Sequence, residues 1–340
     1  MSSSLRRFLI TRLLLTIPMI WILITMVFFV MRILPGDPIR SQLGPKVSEV
    51  QANAIRERLG LNRPILVQYG DFLWKMVTLD FGTALTQGER PIKDELAERL
   101  PATLELSIPA MLFTAVFGIF LGAVAAKNRK KWVDYAIRLF SIVIYSIPIF
   151  FLGLLFQIAF SVRLNILPLS GRMDTMLLMN LKTPTHFYIL DSIISANWPA
   201  LWSAVSHLIL PTLTLGLALT GVYIRLTRVN MIEILQSDFI TAGRARGIPE
   251  NRLVFKHALR NTFIPIMTLI GLEFAILLAG AVLTETTFSI PGMGRYLVER
   301  IALRDYTAVQ ATIGVFAFFV AFITLFMDIL YAFVDPRIRY

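Results

Sequence analysis

The chain has 340 residues, 56% of them hydrophobic and 16% charged, with 25 Phe and a mean hydropathy of +0.68. Soluble domains carry roughly 25% charged residues, so a soluble globular protein is excluded and an integral membrane protein is implied. Cysteine is absent and there are three His, which removes disulfides, thiolate metal sites and catalytic thiols; the formal charge of +11 gathers beside apolar stretches, where anionic lipid and topology account for it without nucleic acid.

Arg6, Arg7 and Arg12 precede an apolar run from Leu13 to Met31. At 1.5 Å per residue this run is long enough to span a bilayer, and it exceeds the roughly 7 to 15 apolar residues of a signal-peptide core. Leu34-Pro35-Gly36-Asp37-Pro38 ends it, so residues 1–31 are expected to be a retained transmembrane helix.

Residues 32–100 are polar, with ten basic and nine acidic residues. Ser48 and Gln51 form a capping-box pattern for a helix reaching Leu59, and Ile65, Tyr69, Phe72, Leu73 and Met76 mark an amphipathic helix after Pro64. A small helical segment resting on the membrane domain is expected, on the extracytoplasmic side.

From Ala102 onward five more apolar stretches can be drawn, over 102–126, 139–162, 203–224, 263–284 and 307–334. The predicted architecture is therefore all-α and polytopic, with six transmembrane helices: one over 1–31 and five in a core over 101–334, followed by a short tail at 335–340. Basic residues concentrate at the N-terminus, at Lys127 to Lys131, in the 225–260 loop (seven basic, three acidic) and at Arg337 and Arg339. The positive-inside rule then places both termini and that loop in the cytoplasm. Two opposite loops carry turn signals, Leu167-Pro168-Leu169-Ser170-Gly171 and Ser289-Ile290-Pro291-Gly292-Met293-Gly294-Arg295, expected to be ordered surface loops or an outer gate.

No P-loop, His-Glu-x-x-His pair or Gly-x-Ser-x-Gly elbow occurs, so an enzyme is poorly supported and no cofactor is expected in this chain. Glu105, Arg138, His207, Glu273, Glu285 and Asp328 are the ionisable residues within predicted spans. Such groups are costly at membrane depth and are site candidates by default. Glu105 reads as a first-turn acid favoured by the helix dipole; Arg138 and Asp328 reach interfacial water; Glu285 and His207 lie near the outer face. Glu273 alone falls near mid-span, either lining a substrate path or making a packing contact across helices.

The 225–262 loop is too polar to span and too patterned to be slack. Ser237 or Asp238 can cap a short helix through Phe239, Ile240, Thr241, Ala242, Gly243, Arg244, Ala245 and Arg246; Gly247 suits a left-handed terminator, Ile248 its hydrophobic contact and Pro249 a new first turn. Small Ala242 and Gly243 among arginines would let another protein approach closely, while the arginines find its carboxylates. A plain lipid-binding loop fits the internal turn poorly, and a DNA-binding helix-turn-helix fails because both helices are tethered to membrane spans.

At these residues the chain resembles the B-type permeases of the dipeptide, oligopeptide and nickel family of binding-protein-dependent ABC importers. Their cytoplasmic loop reads Glu-Ala-Ala, three residues, Gly, nine residues, Ile-x-Leu-Pro; here Thr241-Ala242-Gly243, Gly247 and His257-Ala258-Leu259-Arg260 occupy those places, with Ala242, Gly247 and Leu259 matching strictly. Arg244 to Gly247 and His257 to Asn261 look like the peptide branch. Leu34 to Pro38, Leu59 to Pro64, Arg99 to Glu105, Glu285 to Gly294 and Asp335-Pro336-Arg337 are also similar to family segments. The resemblance implies a type I ABC importer transmembrane domain with a second homologous permease, two cytoplasmic ATPase subunits holding ATP and Mg, and an extracytoplasmic substrate-binding protein as partners. A secondary transporter or channel working without an ATPase is the alternative.

Overall fold

The computed structural model describes residues 3–33, 49–58, 60–84 and 90–334; the expectations placed on Leu34 to Pro38, Ser48, Leu59 and residues 335–340 fall outside them. Among the described residues the regular structure is helical, apart from one isolated antiparallel bridge between Thr83 and Pro91. In chain order the first helices are α1 (Ser3–Ile33), α2 (Glu49–Arg58), α3 (Ile65–Thr78) and α4 (Ile92–Lys127). Then come α5 (Trp132–Ser146), α6 (Ile149–Phe156, prolonged by π-helical turns Gln157–Arg163), α7 (Thr175–Met179), α8 (Tyr188–Ile194) and α9 (Trp198–Ile234). The chain ends with α10 (Asp238–Ala245), α11 (Glu250–Arg252, continued by π-helical turns Leu253–Ala258), α12 (Leu259–Thr287), α13 (Met293–Ala302) and α14 (Tyr306–Val334).

Four of these helices, within α1, α4, α9 and α14, are each long and apolar enough to cross a membrane, and α5 with α6 makes a fifth when taken together. The predicted stretch 263–284 lies wholly within α12. The predicted span over 139–162 is not one straight helix: α5 and α6 meet at 103°. Pro148 removes a backbone donor and forces Ile147 out of the helical region, to φ −81° and ψ 125°, so no straight helix can pass. Helix α4 starts at Ile92, ten residues before the predicted apolar stretch, with Asp94 and Glu95 suited to its first turn, and it runs on through Pro101.

The scaffold is the parallel pair α4 and α9. A Cβ at Gly118 would lie 2.4 Å from Tyr223 Cβ, and one at Gly122 would lie 2.6 Å from Thr227 Cβ and 2.8 Å from the Ile224 carbonyl oxygen. On α9, a Cβ at Gly216 would lie 3.0 Å from the Ala110 carbonyl oxygen, and Thr114 Oγ1 donates to the Gly216 carbonyl at 2.8 Å. Lipid tails are as apolar as side chains, so helices in a bilayer associate through this kind of close backbone packing. Against the pair lies the main core, formed by Ala102, Leu106, Ala110, Leu208, Leu215, Phe274, Leu277, Leu278 and Ala281.

Helix α1 is peripheral. It runs along α14, where Arg12 meets Asp328 at 3.3 Å, and reaches the polar segment through Thr25 and the Tyr69 hydroxyl at 2.6 Å and Phe28 against Phe72. The amphipathic helix expected after Pro64 is present as α3, with Phe72 as its buried residue.

Replacing Gly118 with Val should overpack this seam and cost about 1–3 kcal/mol, read as a lowered Tm of the detergent-solubilised chain. Gly70→Ala, at an exposed helical position with nothing within 4 Å of the new Cβ, should raise stability by about 0.5–1 kcal/mol in the same assay.

Candidate functional site

Helix α10 follows α9 after three residues and forms as the pattern of small and apolar residues predicts, but its N-terminal end differs from expectation. Ser237 holds the cap position without capping: its hydroxyl donates to the Ile234 carbonyl at 2.6 Å, and Asp238 opens the helix as an acid in the first turn. The helix closes at Ala245, and Gly247 takes φ +75°. Gly247 N–H bonds the Arg244 carbonyl at 2.9 Å and Ile248 N–H bonds the Gly243 carbonyl at 3.1 Å, the Schellman pair that a left-handed glycine permits. Pro249 then caps α11, which continues into α12.

One face of α10 is welded to the bundle. Ile240 is fully buried among Ala123 and Ala126 of α4, Met231 of α9, and Leu253, Val254 and Ala258 leading into α12. Gly243 points the same way: a Cβ there would stand 2.7 Å from Leu253 Cδ2. The expectation that Gly243 gives a partner close access is therefore corrected, because its small size is used up within this chain. Outward lie Phe239, 49% exposed, with Thr241, Ala242, Ala245, Arg246, Gly247 and Pro249. Arg244 is also exposed but pairs with Glu250 at 2.8 Å, and this guanidinium holds the Glu250 carboxyl below its ordinary range. Lys127 reaches Asn251, tying the α4–α5 turn to the same block.

Opposite this loop end, three carboxylates organise the far end. Glu105 lies four turns into α4, not in a first turn, and is paired with buried Arg172 at 2.6 Å. Its other oxygen accepts from the Ile189 backbone at 2.8 Å, while the Arg172 guanidinium stacks 3.8 Å from the Tyr188 ring centre and donates to the His186 carbonyl. Glu285 accepts from Thr103 at 2.6 Å and from Arg295 N–H at 2.9 Å, so it caps α13. A Cβ at Gly292 would fall 2.3 Å from that carboxyl carbon, which is why a glycine stands there. Glu95 takes Arg300 at 3.0 Å and the Tyr296 hydroxyl. The two turn-rich loops meet where Gly171 N–H bonds the Phe288 carbonyl at 2.8 Å.

The remaining sequence candidates scatter. His207 Nδ1 bonds the Ser203 carbonyl at 2.7 Å within its own helix, and Arg138 lies 5.9 Å from the Tyr135 ring centre. Glu273 is 6% exposed, halfway along α12, with Oε2 unbonded and fully buried Tyr223 in electrostatic range. The sequence reading missed the pairs Glu95–Arg300 and Asp134–Arg228, whose partners are far apart in the chain and share no motif. On α4, Leu112, Phe113, Val116, Phe117 and Phe120 line an open apolar groove of about 390 Å³.

Long parallel helices packed through glycines, far-end loops braced by buried ion pairs and a short helix presented at the loop end make up a helical membrane domain, and its fold is that of a type I ABC importer transmembrane domain. The fold is shared with a solved structure titled "Inward facing conformations of the MetNI methionine ABC transporter", at TM-score 0.51 and 14% identity over 69% of this chain and 94% of that one. The profile described as "Binding-protein-dependent transport system inner membrane component" matches residues 118–340, and its N-terminal companion matches 5–107. The chain belongs to this family of inner-membrane, multi-pass permease subunits. It is 40% identical to the dipeptide transport system permease protein DppB of Alkalihalophilus pseudofirmus, over 97% of this chain and 98% of the relative. It is also 40% identical to the di/tripeptide transport system permease protein DppB of Pseudomonas aeruginosa, over 98% of each. With the dipeptide transport system permease protein DppB of Escherichia coli it shares 36% identity, over 98% of this chain and 99% of the relative.

Arg172→Met leaves the Glu105 carboxylate buried without its counter-charge and should cost about 3–5 kcal/mol, measured as a fall in Tm. Adding Glu105→Leu to that variant should recover most of the loss, since both charges are then gone.

Proposed function

We propose that this permease subunit translocates short peptides, and that α10 with its Gly247 turn is the element on which a cytoplasmic ATPase docks. The observation that carries the reading is the division of α10 into two faces. Ile240 and Gly243 are fused to the ends of α4, α9 and α12, while Phe239, Thr241, Ala242, Ala245 and Arg246 face outward. A surface joined rigidly to three long helices can turn a push from outside into a rocking of those helices. The peptide substrate is supported by the names of the relatives, which are dipeptide and di/tripeptide permeases.

On this reading residues 225–262 and both termini are cytoplasmic, residues 32–100 are extracytoplasmic and the core spans 101–334. Two ATPase subunits hold ATP and Mg, so this chain performs no chemistry of its own. A second, homologous permease covers part of the apolar surface, to which the α4 groove belongs, and an extracytoplasmic binding protein delivers substrate to the far-end loops. Glu273 is the candidate path residue, a mid-depth carboxyl with an unbonded oxygen.

Two substitutions test the docking face. Ala242→Trp, at an exposed position, should lower substrate-stimulated ATPase of the reconstituted complex about tenfold, within the usual range of coupling energies. Gly247→Val forces a β-branched residue to φ +75° at a strain of about 1–2 kcal/mol and should impair coupling with the bundle still folded. Full stimulation in both variants with normal assembly, or peptide uptake into vesicles holding this chain alone, would overturn the assignment. Glu273→Gln should reduce peptide uptake while ATPase binding is unchanged.

A further inference from the structure

Helix α5 contributes nothing to the apolar cluster around Ile240, whose described members come from α4, α9, α10 and the approach to α12. Its attachment there is ionic. Asp134, 1% exposed, accepts from Arg228 Nε at 2.6 Å and Nη2 at 2.7 Å, a bidentate pair between the first turn of α5 and the last two turns of α9. The same carboxylate accepts from Lys130 N–H at 3.1 Å, so one buried acid holds both α5 and the turn before it. Higher up, α5 touches α9 through Ser141 Oγ to the Gly221 carbonyl at 3.2 Å, with Gly221 leaving room for Tyr145.

Beyond the 103° bend, contacts with the far-end loops are added to those with α9. Gly153 of α6 lies against Phe288 and Thr287 at the end of α12 and against Thr214 of α9. Gln157 donates to the Leu169 carbonyl at 2.8 Å and the Thr287 carbonyl at 3.2 Å, and Ser161 donates to the Pro168 carbonyl at 3.0 Å. Helix α5 is thus held by the loop-end block and α6 by the far-end loops, with Ile147-Pro148 between them.

We infer that Asp134 and Arg228 are positioning residues of the transport cycle: their clasp makes α5 move as one body with α9 and the docking helix, and the Ile147-Pro148 break takes up the motion relative to α6. The inference rests on the reading of α10 as an ATPase dock. It follows from the attachments themselves: the bidentate pair on buried Asp134 has one geometry and leaves an uncompensated charge when it parts, and α6 carries its side-chain hydrogen bonds to the far-end loops instead.

The test uses the full complex with partner permease, ATPases and binding protein. The cysteine-free chain carries spin labels at two exposed pairs, Leu139→Cys with Gln236→Cys and Leu139→Cys with Ile158→Cys. Between the nucleotide-free and the vanadate-trapped states, the Leu139–Gln236 distance should stay constant and the Leu139–Ile158 distance should change. In D134N and R228Q the first pair should become nucleotide-dependent, and substrate-stimulated ATPase should fall about tenfold with basal ATPase retained. The swap D134R with R228D should recover most of the stimulation. A Leu139–Gln236 distance that shifts with nucleotide in the intact clasp would sink the proposal, as would undiminished stimulation in both single variants. Should those variants fail to assemble, the distances in the intact clasp decide alone. Failure of the ATPases to bind the unmodified chain is a separate outcome, seen by co-purification, and it removes the docking reading and this inference together.

Discussion

The structure depends on the close approach of α4 and α9. In a bilayer no water is released when two apolar helices meet, so only tight packing and hydrogen bonding hold them. Gly118 and Gly122 from one helix and Gly216 from the other bring backbones near enough for Thr114 to bond a carbonyl of its neighbour. Both helices outrun the roughly 30 Å hydrocarbon layer, being 36 and 37 residues long at 1.5 Å per residue. Their overhang at one end supplies Ala123, Ala126 and Met231 as the bed for α10. At the other it supplies Glu95 and Thr103 as anchors for the loops.

Buried charge is distributed by end. Glu105–Arg172 and Glu95–Arg300 brace the far loops, and Asp134–Arg228 braces α5 at the loop end. Such pairs add little net stability, because desolvation offsets most of the attraction, but they select one arrangement strongly, since a parted pair leaves an uncompensated charge. On the proposed reading the loops receive a binding partner and α5 follows a moving neighbour, and in both places one arrangement matters more than a few kcal/mol. Glu273 stands apart from all of them, with Oε2 left unbonded.

Much of this was legible in advance. The apolar runs located the long helices, since a helix in lipid needs little more than length and hydropathy. The order of Ala242, Gly247, Ile248 and Pro249 foretold the loop helix and its Schellman turn, which are governed by local backbone preferences. Other features are hidden from the sequence. Hydropathy marks where a helix enters the membrane, not where it begins, so Glu105 reads as a first-turn acid. Pro148 sits in a run apolar on both sides, so the 139–162 stretch reads as one straight helix. Gly243 reads as outward because its neighbour Leu253 lies ten residues on.

The sequence by itself determined what depends on composition and on short-range geometry: a membrane protein of long helices, the side on which basic residues collect, the turn at Gly247 and the resemblance to a permease family. Tertiary structure alone decided which small residues serve this chain's own packing, which carboxylates find arginines and which face of α10 is left open. Those outcomes are set by contacts such as Thr103 with Glu285, 182 residues apart, and Asp134 with Arg228, 94 apart. No local periodicity carries that information, because the partners become neighbours only once the helices have packed.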